Sequence, residues 1–253
     1  MLLKGKNAII YGGGGSVGGA VARAFAREGA HVFLAGRTRT TLEEVAARIR
    51  AAGGAAETAE VDALDERSVD EHAAAVVAGA GGIDVSLNVI ADRDVQGTPM
   101  IEMSPEDYLS PVVTSVRSKF LTSRAAARHM AARRSGVIMA FGGAGDRDSA
   151  RRYDLGGLQT AFDAVESMRR QLAAELAPYG IRVVTLRTGG VPETIPAGHD
   201  GREAIERDIA GKTLTGRAAS LEDVGNVAVF AASDWARTVT GAAINMTCGA
   251  VLD

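Results

Sequence analysis

Short apolar runs alternate along the chain with longer stretches in which apolar positions recur three and four residues apart. The runs at 7–11, 31–35, 56–61, 83–90, 136–141, 182–187 and 242–246 predict seven strands. Between them, segments such as 17–28, 41–52, 67–78, 105–133 and 158–177 carry the helical period. Regular alternation of strand with helix implies right-handed crossovers, because each connection is long enough to return the chain to the same edge of the sheet. The expected fold is therefore α/β, a single-domain, Rossmann-like, doubly wound parallel sheet of about seven strands with helices on both faces. No repeat or composition break divides residues 1–253, so one domain is expected. The Gly- and Pro-containing stretch 189–200 is open to two readings, a mobile lid or a plain surface loop.

Composition narrows the function classes. Lys plus Arg is 28 against 31 for Asp plus Glu, so a net charge of −3 offers no broad basic surface for nucleic acid or anionic lipid. A small-molecule substrate is the expected partner. The chain has 46% hydrophobic residues but nothing near 18 consecutive apolar ones, and residues 1–11 run into a strand without a signal-type cleavage pattern. A cytoplasmic protein, neither exported nor membrane-inserted, is the expectation. The lone Cys248 is expected as a small core hydrophobe and the lone Trp235 as a packing residue. His31, His72, His129 and His199 are scattered without metal-ligand spacing, so no metal site is expected.

The first strand ends in Tyr11-Gly12-Gly13-Gly14-Gly15-Ser16-Val17-Gly18-Gly19 and runs straight into a helix. Residues without side chains are needed where backbone must turn sharply and approach a pyrophosphate, while the helix N-terminus presents free N–H groups and partial positive charge. Gly13, Gly15 and Gly18 satisfy G-x-G-x-x-G, and the position after the first strand of an α/β chain points to dinucleotide binding. Gly12, Gly14, Gly15, Ser16, Val17 and Gly18 are the candidate phosphate-loop residues. Sites that prefer an unphosphorylated ribose place a carboxylate at the end of the second strand. Here that end reads Gly36-Arg37-Thr38-Arg39, so Arg37 and Arg39 stand where a 2′-phosphate needs cationic donors, and NADP(H) is expected over NAD(H).

From Leu3 to about Val251 the sequence resembles the short-chain dehydrogenase/reductase superfamily. The glycine loop is similar to T-G-x-x-x-G-x-G, with Tyr11 for Thr and Ser16 for the middle Gly. Asp62-Ala63 resembles the acidic position that meets the adenine amino group, and the segment 83–91 resembles D-x-L-V-N-N-A-G, keeping Asn88. Leu172 to Val183, then Gly216-Arg217, Asp223-Val224 and Thr240-Gly241, follow the family closely. Residues 189–194 resemble P-G-x-V-x-T, which implies that the Val191 backbone and the Thr194 hydroxyl contact the nicotinamide amide. The resemblance further implies a homodimer or homotetramer, through the helices 105–133 and 158–177, and the apolar stripe of Leu158, Phe162 and Val165 is open to two readings, core packing or subunit contact.

The family's proton-transfer groups are a different matter. Counted back from Leu172, its Tyr position falls on Leu158 and its Lys position on Phe162; its Ser position, about 13 residues before Leu158, falls within Gly142-Gly143-Ala144-Gly145, and its Asn position, counted from Phe120, on Ser115. Neither Leu nor Phe carries a proton. The remaining candidates for catalysis are Tyr153, Asp146 and Ser115. The triplets Asp92-Arg93-Asp94 and Asp146-Arg147-Asp148 follow the fourth and fifth strands, where they are either solvated loop tips or acid–base groups. Three functions stay open: an NADP(H)-dependent carbonyl or alcohol oxidoreductase with a non-standard proton donor, a catalytically inactive NADP(H)-binding paralogue, and an isomerase or dehydratase on the same fold.

Overall fold

The computed structural model describes residues 1–143 and 154–252. Seven strands, β1 (Asn7–Tyr11), β2 (His31–Gly36), β3 (Ala55–Glu60), β4 (Val85–Asn88), β5 (Gly136–Gly143), β6 (Ile181–Thr188) and β7 (Ala242–Asn245), form one sheet. Their order is β3-β2-β1-β4-β5-β6-β7, and every pairing is parallel. The helices among the described residues are α1 (Ser16–Arg27), α2 (Arg39–Ala51), α3 (Glu66–Ala80), α4 (Pro105–Arg133), α5 (Gly157–Leu176), α6 (Arg202–Gly211) and α7 (Leu221–Ala232). None of them is long and apolar enough to cross a membrane.

The period-2 geometry of a strand divides each run between two cores. Ala8 and Ile10 of β1 join Val32, Leu34, Leu87 and Leu186 in a core closed by α1, α2 and α7. Ile9 and Tyr11 join Phe33, Ile138 and Val183 in a second core closed by α3, α4 and α5. That is why the strands read as continuous apolar runs rather than as alternating ones. The chain winds outward from β1 to β3 and then returns to lay β4 against the other side of β1, with Tyr11 beside Asn88 at their carboxyl ends. Ligands of open α/β sheets sit at this reversal point.

Local signals set the helix ends. Ser104 caps α4 by accepting from the Asp107 N–H at 3.0 Å, ahead of Pro105 in the first turn. Ser220 and Asp223 form a reciprocal capping box at α7.

Several expectations need correction. The fourth strand is shorter than 83–90, because Asn88 Oδ1 accepts from the Ile90 N–H at 3.0 Å and turns the chain away from the ladder. The stretch 189–200 is not among these: it holds one short 3₁₀ turn, Pro192–Thr194, and leads into α6, which leaves both its readings standing. Trp235 is 74% exposed and so is not a packing residue. Cys248 is only partly buried, with φ of +56°, while its carbonyl accepts from Leu214 and Thr215. Leu158 and Val165 are buried within their own subunit and Phe162 lines a cavity, so the α5 stripe faces inward rather than toward a partner.

Candidate active site

At the carboxyl ends of β1, β4, β5 and β6 lies a cavity of about 1080 Å³. Its volume is at the top of the range usual for small-molecule sites, roughly 300–1,000 Å³. One wall is the glycine loop. Gly12, Gly15, Ser16, Val17 and Gly18 line it, and α1 begins at Ser16 behind Gly15, with no side chain capping its first turn. Those N–H groups are left for a ligand.

The loop can take this shape only without side chains. Gly12 has φ of +88°, and a Cβ there would lie 2.9 Å from the Val89 carbonyl oxygen. A Cβ on Gly18 would run into the Gly12 carbonyl. The cradle is thus closed by backbone on backbone, which suits a pyrophosphate and fits a dinucleotide.

The remaining cofactor candidates are distributed unevenly. Val191 and Thr194 line the cavity, where the Thr194 hydroxyl donates to the Val191 carbonyl at 2.8 Å. Arg37 and Arg39 are exposed just beyond β2 and form no ion pair among the described residues. Gly14 packs against Thr41 of α2. Asp62 is exposed after β3 and accepts from the Leu64 N–H at 3.0 Å, next to buried Ala63. Asn88 is buried, and its amide donates to Thr122 Oγ1 of α4 at 3.1 Å. None of Gly14, Arg37, Arg39, Asp62, Ala63 and Asn88 is part of the cavity wall.

The opposite wall should hold the proton chemistry. Leu158 and Phe162 of α5 line it, so the two positions at issue face the cavity but offer only hydrocarbon. Tyr153 and Asp146 lie outside the described residues. Ser115 is buried on α4, away from the cavity surface, and accepts from Lys119 Nζ at 2.7 Å.

Lys119 is the residue that sequence reasoning missed. Its side chain is 2% exposed, and Nζ also donates to Asp92 Oδ1 at 3.1 Å. Asp92 lines the cavity and is 17% exposed, so it is not a solvated loop tip. Burial pushes the Lys119 ammonium below the ordinary lysine range, and the Asp92 charge pulls it the other way. A signal was present in the sequence. Thr114, Ser115, Ser118, Lys119 and Thr122 fall at helical spacing on one face of α4, and all are buried.

The family model described as enoyl-(acyl carrier protein) reductase matches residues 13–250. L-rhamnose 1-dehydrogenase (NAD(P)(+)) of Azotobacter vinelandii is 31% identical, with 96% of each chain covered. Galactitol 2-dehydrogenase of Rhizobium johnstonii is 28% identical over 98% of this chain and 95% of its own. Among solved structures, a short-chain type dehydrogenase/reductase from Mycobacterium marinum superposes with a TM-score of 0.86 at 26% identity, covering 99% of this chain and 97% of that one.

Proposed function

The chain belongs to the short-chain dehydrogenase/reductase superfamily, and from that membership we propose that it is an NADP(H)-dependent oxidoreductase interconverting a hydroxyl and a carbonyl group on a polyol or sugar-like small molecule, with a non-standard proton donor. The observation that carries the reading is one cavity shared by a glycine-rich phosphate cradle and a pocket bounded by Leu158 and Phe162. The names of the relatives, which act on rhamnose and galactitol, support a small hydroxylated substrate. Gly12, Gly15, Ser16, Val17 and Gly18 would hold the pyrophosphate, while Val191 and Thr194 would hold the nicotinamide end. When bound, that ring supplies hydride chemistry; the protein orients it and manages the proton. Turnover of L-rhamnose, galactitol and generic ketones with each cofactor tests the reading, and simple ketones are expected to react slowly, because the expected Tyr and Lys positions hold Leu158 and Phe162.

NADPH should bind more tightly than NADH. Arg37 and Arg39 are exposed and form no ion pair among the described residues, Arg39 having only the longer-range attraction of Glu43, so a 2′-phosphate would meet guanidinium groups not held in salt bridges. A charge-assisted hydrogen bond is worth roughly 1.5–3 kcal/mol, so Arg37→Ala should cut the NADPH-over-NADH preference by about tenfold or more. Fluorescence titration with both nucleotides measures the ratio, and equal affinities in the wild type would reverse the assignment.

A second reading, a nucleotide-binding protein without turnover, draws on the same apolar pair. NADPH binding with no conversion of any probe would favour it.

Self-association is also proposed, through α4 and α5. Leu109, Val113 and Phe120 form one exposed apolar stripe on α4. Along α5, Gln159 Oε1, Glu166 Oε1 and Arg169 Nη1 lie buried with no hydrogen-bond partner among the described residues. The exposed apolar stripe of α4 is what a second copy would cover, whereas the α5 atoms are already shielded within the subunit. Light scattering at micromolar concentration should return a dimer or tetramer mass, and a monomer mass would count against this contact.

A further inference from the structure

We propose that Asp92 is the catalytic acid–base of this site and that Lys119, behind it, is its positioning residue and proton reserve, so that proton transfer is served from α4 and the segment after β4 rather than from α5. The inference rests on the oxidoreductase reading above and supplies the group that reading lacks.

Asp92 lines the same cavity as Leu158 and Phe162 and its side chain keeps some exposure there, so the cavity that those two side chains leave without proton chemistry still holds a carboxylate in its wall. The ammonium of Lys119 lies 3.1 Å behind that carboxylate and 2.7 Å from Ser115 Oγ, which occupies two of its three donors. An ion pair with its ammonium buried and its carboxylate mostly buried is seldom the most stable way to fill such a space, because well-packed apolar side chains usually do as well or better. Its retention beneath a cavity needs a reason other than stability.

The carboxylate is also held in place from both sides. Asn88, four residues upstream, is tied to Thr122 of α4 and to the Ile90 N–H. The residue after Asp92, Arg93, has φ of +57°, and its carbonyl accepts from Ser110 Oγ of α4 at 3.2 Å. A non-glycine residue in the left-handed region is held there by its surroundings. One helix thus grips the loop before and after Asp92 and supplies the cation beneath it.

The proton bookkeeping is simple. In alcohol oxidation the substrate O–H bond would break and its proton pass to an Asp92 carboxylate oxygen, the nicotinamide, when bound, supplying the acceptor for the carbinol hydride and its electron pair. For oxidation Lys119 enters as its neutral amine; Asp92 hands it the proton, which gives the carboxylate–ammonium pair of this structure, and the ammonium returns that proton through Asp92 to solvent before the next turnover. In carbonyl reduction each transfer runs backwards. Burial disfavours the lysine's charged form, which makes it a usable proton acceptor nearer neutrality than a surface lysine.

The test uses the full chain, with L-rhamnose and galactitol as probes and NADP⁺ and NAD⁺ as oxidants. Asp92→Asn and Lys119→Met should each lower kcat by roughly 10²–10⁴-fold while KM and the Kd for NADPH stay unchanged. Added formate should restore part of the rate lost in Asp92→Ala, a response that a merely structural carboxylate would not give. An Asp92→Asn enzyme with wild-type kcat would overturn the proposal. A second measurement needs no turnover and covers the case in which Lys119→Met fails to fold. The chain has only four lysines, Lys4, Lys6, Lys119 and Lys212, so ε-carbon NMR can follow each ammonium through a pH titration. Lys119 should titrate below the other three and fall further in Asp92→Asn, as the attraction of the carboxylate is lost. If Lys119 titrates with the other three, the relay is wrong. If wild-type protein binds NADPH but converts no probe, the oxidoreductase reading fails, and the lysine titration alone decides whether the pair can exchange a proton.

Discussion

A single methyl group at Gly18 is expected to weaken NADPH binding by roughly 10- to 100-fold while leaving the sheet intact, because overpacking that costs about 1–3 kcal/mol falls on the cradle itself. The Cβ of Gly18→Ala would run into the Gly12 carbonyl, which is backbone and cannot swing aside. Relief requires the first turn of α1 to lift from the loop, moving the N–H groups that would face the pyrophosphate. Gly79→Ala is the matching control. Gly79 lies in α3 with nothing within 4 Å of its ideal Cβ, so the same methyl group should stabilise the protein by roughly 0.5–1 kcal/mol through higher helix propensity. Fluorescence titration with circular dichroism checks both. Wild-type affinity in Gly18→Ala would mean that the loop does not hold the phosphates.

Acid should destabilise the protein through His72 well before the carboxylates titrate. The imidazole packs edge-on against Tyr11, with ring centroids 5.8 Å apart, and Nδ1 is buried without a hydrogen-bond partner among the described residues. Burial lowers its pKa from 6.5 to about 4. The unfolded chain therefore binds this proton more readily than the folded one. Stability from the neutral ring is fully present above pH 6.5, is lost as pH falls toward about 4, and changes no further below that. At 1.36 kcal/mol per pH unit of displacement, the loss amounts to roughly 3 kcal/mol. Urea unfolding of wild type and His72→Phe between pH 7 and pH 4 isolates the term, since other groups titrate in both proteins. Parallel stability curves for the two would show that His72 is not the cause.

Much of the fold was legible because its causes are local. Apolar runs such as Ala8-Ile9-Ile10-Tyr11 cannot be solvated on either face, and the helical period between them leaves little choice but a parallel sheet covered on both sides. Ser104-Pro105 and Ser220 set helix starts by chemistry within one turn. The glycine cradle was equally readable, since a requirement for no side chain is visible in a sequence as glycine.

The proton-bearing end was not legible, for a physical reason. Family position directed attention to Leu158 and Phe162 and made their hydrocarbon look like a loss. Asp92 and Lys119 are separated by 27 residues and a strand-to-helix connection, and neither has a local pattern that requires the other. A sequence shows that a lysine lies on a helix; it does not show that water has been removed from around it. Apolar period and turn chemistry determined the sheet, the helices and the phosphate loop, because each depends on neighbours a few residues away. The tertiary structure alone decided that the α5 stripe faces inward, that Trp235 faces water, and that a buried ammonium sits beneath a cavity-facing carboxylate, because burial and charge pairing depend on what the rest of the chain brings alongside.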